Sequence, residues 1–180
     1  MNSLKTIYKF FFLALYLSFF RFLPASSTPF IGRFFRTLRY LCCKPIFKSC
    51  GRNVNIERMA FFGSGFNLTI GDNSGLGINS VVPGNTIIGK NVMMGPNVYI
   101  LSSNHQFDRT DIPMIEQGNT TQKQCIIEDD VWIGRQVIFT PGRTVKKGSI
   151  IGAGTLLCKN FEAYSIIGGN PSILIRSRLT

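Results

Sequence analysis

The chain has 180 residues, 44% of them hydrophobic, with 18 glycines and a formal net charge of +11. That length suits one domain with an additional segment, and the apolar content is enough for a sizeable core. The charge is local. Nine basic residues and no acidic one precede Glu57, whereas the other 11 of the 20 basic residues accompany all 9 acidic ones, so the body of the chain carries no nucleic-acid footprint.

The first predicted element is helical, apolar and basic. "IYKFFFLALYLSFFRFLP" spans residues 7 to 24, and its apolar run from Phe10 to Phe20 is eleven residues, against the roughly 20 that a spanning helix needs. No small-residue cleavage site directly follows the run, although "PASST" is a weak imitation of one. The next stretch, "FIGRFFRTLRYLCCKPIFK", places Arg33, Arg36 and Arg39 three apart among Phe34, Phe35 and Leu38. This pattern fits a helix lying in a membrane interface, with cations facing anionic lipid. It also fits a helix packed on the core or on a neighbouring subunit. Residues 1–50 are expected to form this segment and to be separable from the rest of the chain.

The five cysteines, Cys42, Cys43, Cys50, Cys125 and Cys158, include no C-x-x-C pair and accompany a single histidine, which is no zinc set. They read as buried or idle thiols of a reducing compartment.

From residue 70 the chain falls into hexads: IGDNSG, LGINSV, VPGNTI, IGKNVM, MGPNVY, ILSSNH. Each opens on an apolar residue, and Asn holds the fourth place in five of the six. After an interruption the frame returns as IEDDVW, IGRQVI, FTPGRT, VKKGSI, IGAGTL, LCKNFE. A less regular version precedes it in "VNIERMAFFGSGFNLTI". A fixed short period marks a solenoid. Six residues give no constant α-helical face, but they suit a short strand and a tight turn. Three such units close a triangular coil of about 18 residues with the leading side chain inward. Gly and Asn supply the positive φ values of the corners. The fold class is therefore all-β, with about five coils over residues 51–162, a loop at 102–125 and a tail at 163–180.

The interruption contains His105, the only histidine. Ile100 and Ile127 lie 27 residues apart, which is no multiple of six, so the excursion is not disguised repeat. A flat solenoid offers no enclosed pocket, and a loop pushed out between coils builds one. Its tip, "RTDIPMIEQGNTTQKQ", mixes polar groups with Pro113 and Met114, as suits a lid over an acceptor.

The hexads, the lone histidine in "NHQFD", "DDVWIG", "IGAGTLLCKN" and "IIGGNP" together resemble the hexapeptide-repeat acetyltransferases. The likeness covers about residues 50 to 178. It is greatest to the maltose, galactoside and colanic-acid-type polysaccharide O-acetyltransferases. The resemblance implies a left-handed parallel β-helix, a homotrimer with clefts between subunits, acetyl-CoA as co-substrate and a saccharide acceptor. It also implies a catalytic histidine at His105, and it assigns Trp132, Arg135, Ala153, Cys158, Lys159 and Arg176 to the CoA side. The family usually has Ser or Ala where Arg135 stands and Thr where Cys158 stands, so side-chain contacts at those two positions are in question.

The chemistry fits. Acetyl transfer from a thioester to a sugar hydroxyl needs a base, and imidazole is the natural proton acceptor near neutral pH. Asp108, or a backbone carbonyl, would accept from Nδ1–H and fix the tautomer. Lys159 and Arg176 suit the nucleotide phosphates. Asn79 reads as a corner residue, because nearly every hexad has an Asn there. A γ-class carbonic anhydrase, which shares the period, needs three histidines for its metal and is excluded; no metal is expected. N-acetylation of an amino sugar or antibiotic uses the same fold and stays open. The basic N-terminus favours a cytoplasmic protein peripheral on the inner membrane face, acting on a lipid-linked or exported glycan.

Overall fold

The computed structural model describes residues 3–179. Two helices, α1 (Ser3–Ser18) and α2 (Gly32–Cys43), precede a three-faced solenoid of two-residue rungs. The first face stacks Ser49–Cys50, Thr69–Ile70, Ile87–Ile88, Ile126–Ile127 and Thr144–Val145, all parallel. The second face carries Asn55–Ile56, Gly75–Leu76, Met93–Met94, Trp132–Ile133, Ile150–Ile151 and Ile166–Ile167. There the Gly75 N–H donates to the Val92 carbonyl at 3.1 Å and continues the ladder. The third face runs through Phe61, Val81, Tyr99–Ile100, Ile138–Phe139 and Leu156–Leu157. A final strand, Ile173–Ser177, turns back antiparallel on Ser165–Gly168 and closes the last edge.

The period produces this shape through its leading residue. Every hexad leader from Ile70 to Leu157 is buried except Met94, which is half-buried. A second inward position is the fifth, filled by small side chains: Ser74, Ser80, Thr86, Val92, Val98, Val131, Val137, Ser149 and Thr155 are all buried. Sequence reading named only the first. A buried Ile or Val contributes about 1.5–3 kcal/mol, so a ladder of them holds the prism together.

The corners carry the backbone cost. Asn53, Asn73 and Asn91 adopt φ of 57°, 57° and 58°, and Asn79 and Asn97 adopt 55° and 59°. Asparagine tolerates this left-handed region better than other non-glycine residues. Its amide also pairs along the stack: Asn53 donates to Asn73 at 2.9 Å, Asn73 to Asn91 at 3.2 Å and Asn79 to Asn97 at 3.2 Å. The glycine that follows six of the twelve leaders has a separate reason. A Cβ at Gly77 would collide with the Gly95 carbonyl oxygen, so adjacent coils close only without it.

The N-terminal segment caps the open end of the prism. Tyr16 is fully buried, its hydroxyl donates to the Ala60 carbonyl at 2.7 Å, and its ring stacks on Phe62 at 4.7 Å. Here the structure corrects the reading of Arg33, Arg36 and Arg39 as one lipid-facing row. Arg39 is fully buried and donates to the carbonyls of Ile56, Leu23 and Pro24 at 2.5, 3.2 and 2.7 Å. It also meets Glu57 at 3.6 Å. Arg36 donates to the Asn53 carbonyl and side chain at 3.0 and 2.6 Å. The physical reason is local: the Ile56 carbonyl of the prism and the Leu23 and Pro24 carbonyls of the segment between the helices converge on this one side chain. Among the described residues, no helix is long and apolar enough to cross a membrane. All five cysteines are free thiols, with Cys42 and Cys43 in the cap core and Cys125 in the prism.

Candidate active site

The step from the third face to the first takes six residues between Phe139 and Val145, but 27 between the stacked residues Ile100 and Ile127. The difference is an arm rooted at the third corner. Its two legs are tied together. Lys123 N–H donates to the Ser102 carbonyl at 2.7 Å, Thr120 N–H to Asn104 at 2.8 Å and Gln106 N–H to Gly118 at 2.9 Å. His105 lies in this ladder as an antiparallel bridge to Asn119. Farther out, Gln117 binds the carbonyls of Arg109 and Ile112 at 2.8 and 3.1 Å, and Arg109 pairs with Asp111.

The backbone of His105 is thus fixed on both sides while its side chain is exposed. Among the described residues the imidazole makes no hydrogen bond. Asp108 is also exposed, and the protomer does not bring it into hydrogen bonding with His105.

The CoA-side candidates occupy two regions. Trp132 is half-exposed on the second face, in register between Met93 and Ile150. Arg135 and Ala153 follow at the next corner, both exposed, where a Cβ on Gly134 would lie 2.6 Å from the Ala153 nitrogen. Arg176 belongs to the same sheet as Trp132, opposite Ile166. Cys158 and Lys159 instead lie beyond the third face, at the corner that continues the stack from which the arm leaves. The Ser172 hydroxyl lies 3.3 Å from the Cys158 sulfur and holds its thiol below the ordinary range. The Lys159 ammonium lies 5.5 Å from the centre of the Phe161 ring. Within one protomer, the third face separates the Trp132–Ala153 surface from the His105 arm.

A groove of about 390 Å³, which the sequence did not announce, opens on the second face between the cap and the coils. Ser27, Asn55, Glu57, Gly75 and Met93 line it. The signal was Gly75. It holds the outward sixth place of its hexad, where the next four hexads carry Val81, Ile87, Met93 and Tyr99. The missing side chain opens the floor. Ser26 and Asn55 both donate to Glu57, and the Asn55 Oδ1 is buried without a partner among the described residues.

Residues 67–102 match the family described as "Bacterial transferase hexapeptide (six repeats)". A chloramphenicol acetyltransferase of Agrobacterium fabrum is 49% identical over 75 residues, 40% of this chain and 36% of its own. The chain thus matches only about a third of that relative's length. Among solved structures, a maltose O-acetyltransferase from Clostridium difficile 630 superposes with a TM-score of 0.74 at 26% identity, covering 98% of this chain and 89% of its own. A hexapeptide-repeat acetyltransferase of Vibrio cholerae, solved with acetyl coenzyme A, gives 0.67 at 26% identity, covering 78% and 76%.

Proposed function

We propose that this hexapeptide-repeat protein is an acetyl-CoA-dependent O-acetyltransferase of a sugar hydroxyl, with His105 as general base. One observation carries the reading. The only histidine stands on an arm whose backbone is clamped on both sides, and its imidazole is exposed and unpaired among the described residues. The likeness to the maltose O-acetyltransferase and to the Vibrio cholerae enzyme solved with acetyl coenzyme A supports the reaction class.

Nε2 of His105 takes the proton of the acceptor hydroxyl as its oxygen attacks the thioester carbonyl. The tetrahedral intermediate collapses to the acetyl ester and the CoA thiolate, and the imidazolium returns its proton to that thiolate. No acyl-enzyme forms, because the thioester is already activated. Asp108, or a carbonyl met only in the complex, orients the ring. Trp132 and Ala153 offer pantetheine an aromatic wall and a low floor. Arg135 and Cys158 contribute backbone contacts, and Arg176 and Lys159 serve the phosphates. The cleft assembles in a homotrimer, where the arm of one protomer faces the Trp132 surface of its neighbour. The acceptor is a capsular, exported or lipid-linked glycan handled at the inner face of the cytoplasmic membrane.

A second reading is N-acetylation of an amino sugar or antibiotic, and the Agrobacterium chloramphenicol acetyltransferase favours an antibiotic acceptor. CoA release measured over a panel of glycans, amino sugars and chloramphenicol decides between them. Turnover on glycans supports the first reading, and turnover on chloramphenicol or amines alone replaces it with the second.

A further inference from the structure

We infer that the outer surface of the helical cap docks on an anionic phospholipid bilayer. The inference rests on the membrane-surface reading above, keeps Arg33 and Phe34 from it, and adds one stripe of α1 and the loop before α2. α1 has two unlike sides. Leu13 and Tyr16 are buried against the prism, whereas Leu4, Ile7, Tyr8 and Phe11 are 55–74% exposed. These four fall at the i, i+3, i+4, i+7 spacing of one helical stripe.

The loop into α2 continues the pattern. Phe30 is fully exposed with φ of 63°, a conformation that a bulky side chain rarely adopts. Ile31 and Phe34 follow, 47% and 61% exposed. A protein in water gains nothing by presenting an aromatic ring this way; strained, exposed residues are associated with binding surfaces.

The charge specifies the occupant. No acidic residue precedes Glu57, and that carboxylate is occupied by Arg39, Ser26 and Asn55. Exposed Lys5 on α1, Arg33 beside Phe34, and Lys44 and Lys48 after α2 therefore share the segment with these apolar residues, and no acidic residue lies in it. Two such caps would repel each other, which disfavours a second copy as the cover. A bilayer with anionic headgroups matches both the cations and the aromatics. Between α1 and Pro45 a shallow apolar groove of about 540 Å³, lined by Leu4, Lys5, Tyr8 and Lys9, suits an acyl chain beneath a phosphate. At 16 residues α1 is about 24 Å long, so it lies along the surface and does not span it.

The test is co-sedimentation of the full chain with vesicles of phosphatidylcholine and phosphatidylglycerol mixed about 3:1. Wild type sediments, and less so with phosphatidylcholine alone or in high salt. The variant F11E/F30E/F34E binds at least about 10-fold more weakly. K5E/K44E loses the preference for anionic vesicles. Molecular mass in solution is measured on each. A wild type that stays in the supernatant overturns the inference, as does a triple variant that sediments equally. A change of mass in the triple variant also overturns it, since a second copy then covered the stripe. His105→Ala is expected to sediment like wild type, so failure of the catalytic reading and failure of this one remain distinct.

Discussion

At the residue scale, the proposed chemistry rests on one imidazole and the cap on one buried guanidinium. Removing the imidazole in His105→Ala lowers kcat by about 10²–10⁴-fold, the usual worth of a positioned base, and leaves fold and mass intact. Stopped-time CoA release measures this, and near-normal turnover removes His105 from the mechanism. Arg39 makes the opposite prediction, loss of stability rather than of chemistry. Arg39→Met leaves three carbonyls without their donor and removes the charge facing Glu57, which costs about 3–5 kcal/mol by the usual measure of a broken buried pair. Thermal unfolding at neutral pH reads it, and an unchanged midpoint shows that the cap is not held by this residue. Burial pushes the Glu57 carboxyl up, but hydrogen bonds from Ser26, Asn55 and Arg58 outweigh it and hold the group below its ordinary value of 4.5. Its contribution is therefore present above pH 4.5 and fades as pH falls through the lower folded value. Glu57→Gln is expected to flatten that acid limb of the stability curve.

At the element scale, each rung contributes one leader to the prism. Ile133→Asp places an unpaired carboxylate where no water reaches and costs several kcal/mol, enough to lose soluble protein. Recovery of normally folded Ile133→Asp would mean that the inward register is wrong. That register was legible in the sequence, because a two-residue rung and a tight turn leave no choice of face. The corner asparagines were legible for the same reason, since positive φ selects few side chains. The cap was not. Arg33, Arg36 and Arg39 look alike in sequence, and only the carbonyls of Ile56, Leu23 and Pro24, with Glu57, separate the buried Arg39 from the exposed Arg33. The contacts of Tyr16 with the prism bear against a separable segment. Deleting residues 1–45 uncovers Phe62 and Ala60 where Tyr16 now packs, so the shortened protein is predicted to aggregate. The groove at Gly75 was missed because the outward sixth place was not read: only comparison with Val81, Ile87, Met93 and Tyr99 shows the gap.

At the scale of the whole molecule, the candidate site is divided. The repeat places Trp132 and Ala153 on one side of the third face and the His105 arm on the other, so no single protomer gathers them. Sequence order conceals this, because only the winding of the coil assigns residues to faces. The measurement that tests it most directly is complementation in mixed oligomers. His105→Ala removes the base, and Ala153→Trp fills the exposed corner proposed to seat pantetheine. Each variant made alone is expected to be inactive. Co-expressed in equal amounts and assembled at random, the proposed homotrimer leaves about one quarter of its clefts with both halves wild type. CoA release should then return to roughly that fraction of the wild-type rate. Activity no greater than the sum of the two separate variants would contradict the account, because it would place base and cofactor surface within one chain.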